Sequence, residues 1–350
     1  MPPWGKSQTR SGACSASIVK SKSDAPLLQV EGLRTVFTLP DGRELAAVSD
    51  LSLRLGHGET LGLVGESGSG KSVTALSILR LVQPPGRITR GRIVFDGRDL
   101  LTLDESVLRT IRGRRIGFVF QEPMVALNPV YTIGHQIAET LQVHGLARGK
   151  AARAKAVEWL AAARVPDPER RASEYPHQLS GGLRQRAMIA LALCAEPSLV
   201  IADEPTTALD VTVQAEILDL LRDLRAKLGL ALLLITHDLG VVAEMADRVA
   251  VMYGGRIVEE GPVGDVFKTP AHPYTRGLLA CLPDAGDKRR LTAIAGTVPS
   301  LGQFPKGCSF APRCGDRMAE CDVTPPGVTA LAGDRSVRCY LHGNATGEPA

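Results

Sequence analysis

The stretch Gly65-Glu66-Ser67-Gly68-Ser69-Gly70-Lys71-Ser72 reads G-x-x-x-x-G-K-S, the pattern of a phosphate-cradling loop. Its glycines let the backbone curl so that successive amides point inward at phosphate oxygens. Lys71 adds a fixed cation, and the Ser72 hydroxyl can ligate Mg²⁺. Downstream, the apolar run Leu199-Val200-Ile201-Ala202 leads straight into Asp203-Glu204. Adjacent carboxylates on a strand point to different sides, so Asp203 can hold Mg²⁺ through water while Glu204 polarises an attacking water as general base. Gln121 follows Ile116 to Phe120, and its amide could ligate Mg²⁺ or that water. His237 ends the run Leu230 to Thr236, where a histidine can reach a terminal phosphate.

These residues need strands and helices to carry them. Glu59 to Val64 is a short apolar run of strand length, and Ser72 to Val82 has helical spacing before Gln83-Pro84-Pro85-Gly86 stops it. Strand, loop, helix is the order that a phosphate loop requires, and it aims the helix dipole at the phosphates. Upstream, Leu28 to Val30, Thr35 to Thr38 and Leu51 to Leu55 alternate as in a small antiparallel sheet, with Pro40-Asp41-Gly42 as a turn. Phe37, just before that turn, is suited either to stacking on a nucleotide base or to filling a core. Gly91 to Gly97 reads as a further strand and turn.

Residues Val125 to Tyr175 shift to an Ala/Leu-rich, charged composition, with helices expected at Ile133 to Val143 and Ala151 to Ala163. This inserted helical segment ends at Leu179-Ser180-Gly181-Gly182-Leu183-Arg184-Gln185-Arg186. Ser180 is a good N-cap, and the two glycines leave the positive end of a helix uncovered. That is a second anion-binding helix start, and a single nucleotide does not need two. Ala208-Leu209-Asp210 precedes an amphipathic helix through Leu228, and Arg248 to Glu260 reads as a hairpin across Gly254-Gly255. From Val263 onward both periodicities fade while Pro, Gly and Cys rise.

The whole chain bounds the reading. Its 350 residues suffice for two domains or one large one with an appendage, and 44% hydrophobic content is that of an ordinary globular protein. A net charge of +4, with the signs interspersed, argues neither for nor against nucleic acid. No apolar run reaches the roughly 18 to 20 residues that span a bilayer. Residues 1–26 carry Lys6, Arg10, Lys20 and Lys22 among Ser, Gly and Pro without the hydrophobic stretch of a signal peptide, which points to a mobile tail on a cytoplasmic protein. Of seven cysteines, Cys308, Cys314, Cys321 and Cys339 crowd the C-terminal end with spacing C-x5-C-x6-C-x17-C. In a cytoplasmic setting such a group points toward metal rather than disulfides.

Taken in order, these motifs over Leu27 to Pro283 resemble an ATP-binding-cassette (ABC) nucleotide-binding subunit. The resemblance implies an α/β, RecA-like P-loop NTPase core with an antiparallel β subdomain and a helical subdomain over about 122–182. It makes 65–72 the Walker A loop, Gln121 the Q-loop, Leu179 to Gln185 the signature, Asp203 and Glu204 the Walker B pair, 208–210 the D-loop and His237 the switch histidine. Phe37 falls where the family's base-stacking aromatic belongs. Two subunits of this family pair head to tail, so the implied cap from Ser180, Gly181, Gly182 and Gln185, with Asp210 of the D-loop, serves the partner's ATP. Hydrolysis in that dimer moves membrane-spanning partners.

A narrower resemblance rests on Phe120 to Met124 with Leu127-Asn128-Pro129, and on Ala271-His272-Pro273-Tyr274-Thr275-Arg276-Gly277-Leu278-Leu279. Both are similar to ATP subunits of bacterial oligopeptide and dipeptide importers, a branch that includes nickel and glutathione systems. Residues 284–350 are similar to that branch's cysteine-bearing extension. The four thiolates could hold a [4Fe-4S] cluster or tetrahedral zinc; close C-x2-4-C pairs, usual for structural zinc, are absent, and the resemblance implies the cluster. It also implies two multi-span permease subunits, a second and different ATP-binding subunit, an extracytoplasmic solute-binding protein, a peripheral position at the cytoplasmic membrane face and no nucleic-acid partner. The competing class is a soluble ABC ATPase acting on DNA or ribosomes. Such proteins usually carry paired cassettes, a long coiled coil or zinc-hook insertions, none of which is present.

Overall fold

The computed structural model describes residues 25–207, 209–281 and 294–343. Most of the expected tail, Ala208 of the expected D-loop and the boundary expected at 283/284 lie outside the described residues.

Two sheets organise the fold. The first is antiparallel, in the order β2-β1-β4-β5, built from β1 (Leu28–Thr38), β2 (Glu44–Leu55), β4 (Gly86–Phe95) and β5 (Arg98–Asp99). The second has eight strands in the order β11-β12-β10-β9-β3-β8-β7-β6. Its parallel part comprises β6 (Ile116–Val119), β7 (Leu199–Asp203), β8 (Ala231–Thr236), β3 (Thr60–Val64) and β9 (Arg248–Tyr253). Every residue of β3, β7 and β8 is buried, which explains their continuous apolar sequences: a parallel strand covered on both faces has no solvent side to alternate with.

The helices cover this sheet. α1 (Lys71–Ile78) follows β3 directly, and α2 (Glu105–Ile111) packs into the same core. α1 stops short of the expected Val82. Arg80 turns the chain with φ 52°, and the Arg112 guanidinium donates to Leu79 O at 2.8 Å and Arg80 O at 3.0 Å, satisfying carbonyls that a longer helix would have bonded internally. The inserted subdomain contains α3 (Pro123–Ala126), α4 (Ile133–Val143), α5 (Gly149–Ala162) and α6 (Pro168–Ala172), and α7 (Gly181–Leu193) returns the chain to the sheet. A single buried cluster runs from Ile137, Leu141 and Leu160 in this insertion through Met188 to Leu232 and Leu234 of β8, so the subdomain is packed onto the core rather than tethered to it.

α8 (Val211–Leu228) buries Ile217, Leu218, Leu221 and Leu224 and ends at Gly229, whose left-handed φ of 62° closes the helix. α9 (Leu239–Met245) follows β8. The expected hairpin is β9 with β10 (Arg256–Pro262). Past it come α10 (Val263–Lys268), α11 (Pro273–Ala280), β11 (Thr329–Leu331) and β12 (Arg335–Val337). β12 pairs with β10 through Glu259↔Val337 and Glu260↔Ser336, so the C-terminal region extends the core sheet. Helices of 6 and 8 residues and strands of 3 are too short to show a period, which is why the sequence pattern faded there.

Candidate active site

β3 delivers the chain into the phosphate loop at Gly65. A Cβ added there would lie 2.1 Å from the Met252 carbonyl oxygen, so only glycine lets the loop pass this close to β9. Gly70, with left-handed φ 104°, is the N-cap of α1. Lys71 Nζ donates to Gly65 O at 2.7 Å and Glu66 O at 3.1 Å, so the ammonium lies inside the loop's curl. Burial lowers the Lys71 pKa, and the Glu204, Asp203 and Glu66 carboxylates oppose that shift. Ser67 and Gly68 are exposed, whereas the Ser69 hydroxyl is buried without a protein partner.

The two carboxylates face different groups, but Glu204 lies one residue past the end of β7 and its left-handed backbone, not strand alternation, sets its direction. Asp203, at 6% exposure, accepts from the Ser72 hydroxyl at 3.1 Å, and burial raises its pKa while that hydrogen bond lowers it. A hydroxyl and a carboxylate meeting at the start of α1 form the hard oxygen donor set that suits Mg²⁺ beside a triphosphate. Glu204 sits at φ 46°, an uncommon conformation for a non-glycine residue, with its N–H donated to Ile235 O at 2.8 Å. Three groups converge on its Oε2: the Thr207 hydroxyl at 2.8 Å, Gln121 Nε2 at 3.3 Å and His237 Nδ1 at 3.3 Å. The ends of β6, β7 and β8 therefore place Gln121, Glu204 and His237 around one oxygen, as expected for an open α/β sheet that gathers ligand groups at its carboxyl edge. Thr207 was not singled out in sequence; its signal is a hydroxyl three residues after Glu204, at the right separation to turn back onto it.

Of the remaining expected residues, Ser180, Gly181, Gly182 and Asp210 form a separate group. Ser180 caps α7, accepting from Leu183 N at 3.4 Å, and both Ser180 and Gly181 are exposed. A Cβ added at Gly182 would lie 2.9 Å from Val213 Cγ1, and one at Gly181 would lie 3.8 Å from Leu209 Cδ2. The start of α7 thus sits on the start of α8, where Asp210 accepts from Val213 N at 2.9 Å as N-cap. Gln185 is turned inward at 2% exposure and its Nε2 lacks a protein partner, so it does not share the exposed face of Ser180 and Gly181. Phe37 is half-buried on β1 over Gly86, and β1 is tied to α1 by the Thr35 and Ser77 hydroxyls at 2.8 Å.

The C-terminal region reaches the phosphate loop. Arg313 Nη1 and Nη2 donate to Glu66 Oε2 and Oε1 at 2.7 and 3.1 Å, and the Glu66 N–H donates to the Tyr274 hydroxyl at 2.9 Å. One residue beyond Arg313 lies Cys314, which lines a small cavity together with Cys308, Cys321 and Cys339. Burial pushes the Cys308 thiol up to about 11 and raises Cys314 and Cys339 as well. Among the described residues, no group of three or more His, Cys, Asp or Glu stands in metal-holding geometry.

Residues 48–207 match the family described as ABC transporter, and residues 258–321 match the C-terminal region of oligopeptide/dipeptide transporters. A protein of Brucella abortus (strain 2308) named for peptide import and ATP binding is 53% identical over 331 residues, covering 91% of this chain and 97% of its own. A second protein so named, from Brucella suis biovar 1, is 52% identical over 320 residues, covering 91% and 96%. Among solved structures, the dimeric ATP-binding cassette MJ0796 with ADP and Pi is similar at TM-score 0.61 and 30% identity, covering 67% of this chain and 98% of that one. The cbiO1 subunit of the Clostridium perfringens cbiONQ transporter is similar at TM-score 0.58 and 27% identity, covering 69% and 91%. The chain belongs to the ABC transporter ATPase family, in the branch that carries the oligopeptide/dipeptide transporter C-terminal region.

Proposed function

We propose that the chain is the motor of an importer for di- or oligopeptides or a related solute, working at the cytoplasmic membrane face on two multi-span permeases. The carrying observation is the convergence of Gln121, Thr207 and His237 on Glu204 Oε2, beside a phosphate loop whose Ser72 meets Asp203. ATP would lie with its phosphates against the amides of 66–72 and Lys71. Ser72, Asp203 and Gln121 would hold Mg²⁺, which when bound would supply Lewis-acid stabilisation of the phosphate charge. Glu204 takes the proton of the attacking water, Thr207 and Gln121 fix the carboxylate that does so, and His237 faces the terminal phosphate.

Support for a dimer comes from the α7 start, which is exposed and sits on α8 rather than on its own phosphate loop. Its amides, with Asp210, would cap the nucleotide of a second ATP-binding subunit, which in this branch would be a different chain. Phe37 would stack on the adenine. Permease docking is supported by Met124, Val125, Val130 and Tyr131, exposed apolar side chains in the segment that follows Gln121. Among the described residues no helix is long and apolar enough to cross a membrane. An external binding protein would deliver the solute.

The quartet Cys308, Cys314, Cys321 and Cys339 would hold a [4Fe-4S] cluster, since four thiols lining one cavity form the donor set that such a cluster takes; zinc is the alternative. When bound, it would staple the C-terminal region. Anaerobic purification with iron and zinc analysis tests this: about four iron atoms per chain is the expected result, and stoichiometric zinc or metal-free protein would reject it. Co-purification tests the function. Recovery with two multi-span membrane proteins is expected, and enrichment on ribosomes or DNA instead would overturn it.

A further inference from the structure

The phosphate loop carries a carboxylate where its ligand carries several negative charges. Glu66 is the second residue of that loop, and an unpaired anion there would repel a triphosphate. The Arg313 side chain, only 4% exposed against 31% for Glu66, meets this carboxylate with both arms of its fork. Arg313 is itself braced: its Nε donates to Ala295 O at 3.0 Å, and its guanidinium lies 5.8 Å from the Tyr253 ring centre and 5.9 Å from that of Phe310. The fully buried Tyr274 packs against the same rings at centroid distances of 4.6 and 5.3 Å, and its hydroxyl accepts the Glu66 N–H. The loop's far end is pinned by Gly255 N donating to Ser69 O at 2.9 Å. Ser67 and Gly68 between the two pins are exposed.

We infer that Arg313 is a positioning residue of the nucleotide site, which neutralises Glu66 and holds the loop in its phosphate-binding shape from the C-terminal region. Both effects act on binding. Neutralisation removes a repulsion toward the polyphosphate, and fixing residue 66 means that the loop is ordered before the nucleotide arrives rather than on its arrival. Neither touches the groups around Glu204 Oε2, so turnover at saturating ATP should be indifferent to Arg313.

The test uses the full-length chain, with equilibrium ADP binding and steady-state ATP hydrolysis measured for Arg313→Ala, Arg313→Lys, Glu66→Gln and Glu66→Gln/Arg313→Ala. Arg313→Ala should raise the ADP Kd and the ATP KM roughly tenfold, the scale of one partly screened charge or one residue's ordering, with kcat within about twofold. The decisive comparison is the double variant. With the carboxylate gone the repulsion goes too, so Glu66→Gln/Arg313→Ala should recover about threefold or more of the lost affinity. A structural role for Arg313 confined to the C-terminal region gives no such rescue. Unchanged Kd and KM in folded Arg313→Ala, a fall in kcat at constant KM, or additive losses in the double variant would each overturn the inference. If Arg313→Ala does not fold, Arg313→Lys keeps the charge but not the fork, and should raise KM about two- to fivefold. An unchanged KM there rejects the inference equally.

Discussion

Replacing Glu204 by glutamine isolates the chemical step, because the structure indicates which contacts survive. The carboxylate oxygen Oε2 accepts from the Thr207 hydroxyl at 2.8 Å and from Gln121 Nε2 at 3.3 Å. A glutamine carbonyl in the same place accepts from both, and the side chain keeps its length, so the turn at residue 204 and the phosphate loop are undisturbed. What is lost is the capacity to take a proton from water. A positioned general base contributes about 10²- to 10⁴-fold, or roughly 3 to 5 kcal/mol of barrier. Phosphate release at saturating ATP should therefore fall by about two to four orders of magnitude while nucleotide affinity stays within about threefold. With hydrolysis blocked, size-exclusion chromatography of the chain mixed with its second ATP-binding subunit in ATP should show a shift toward dimer. Hydrolysis by Glu204→Gln at a rate near that of the parent, with the protein folded and binding ATP, would refute the assignment of Glu204 as base.

Other consequences follow from single contacts. Lys71→Ala removes the ammonium bonded to the Gly65 and Glu66 carbonyls, and ATP binding measured by titration should be lost. Gly65→Ala places a methyl group 2.1 Å from the Met252 carbonyl, so β9 or the loop must move; nucleotide affinity should drop at least tenfold, with a melting temperature lowered by a destabilisation of about 1 to 3 kcal/mol. His272 is 1% exposed, accepts the Tyr274 N–H at its Nδ1, and has its pKa lowered to about 3 by burial. Below pH 6.5 the unfolded chain therefore gains a proton that the folded chain refuses, and stability should fall by about 1.4 kcal/mol per pH unit until the pH nears 3. Melting temperatures between pH 7.5 and 5 should fall more steeply for the parent than for His272→Asn, which offers the Tyr274 N–H a carbonyl acceptor that does not titrate.

Where the chemistry is local, the sequence was legible. Gly65 to Ser72 announced itself because a tight phosphate loop needs glycines at fixed offsets, and β7 and β8 because strands buried on both faces carry unbroken apolar runs. Gln121, Glu204 and His237 could each be placed at a strand end, although that they meet at one oxygen required the strand order β8-β7-β6. Contacts between distant segments left no trace in spacing. Arg313 and Glu66 are 247 positions apart, and only the fold of the aromatic cluster around Tyr253 and Tyr274 joins them. The inward turn of Gln185 was equally hidden, since the phase of α7 is set by its packing and not by the glycines at its start. α1 ended early for the same kind of reason: the arginine that closes it comes from residue 112.

The most direct test of an ATP-driven import motor is peptide uptake by membrane vesicles containing this chain and the membrane proteins that co-purify with it. A mixture of short labelled peptides would be supplied with the binding protein on one side and ATP with Mg²⁺ on the other. The expected result is accumulation against a gradient that requires ATP, stops when Glu204→Gln replaces the parent chain, and accelerates ATP hydrolysis while peptide is present. Vesicles that hydrolyse ATP at one rate with or without peptide, and accumulate none, would contradict it.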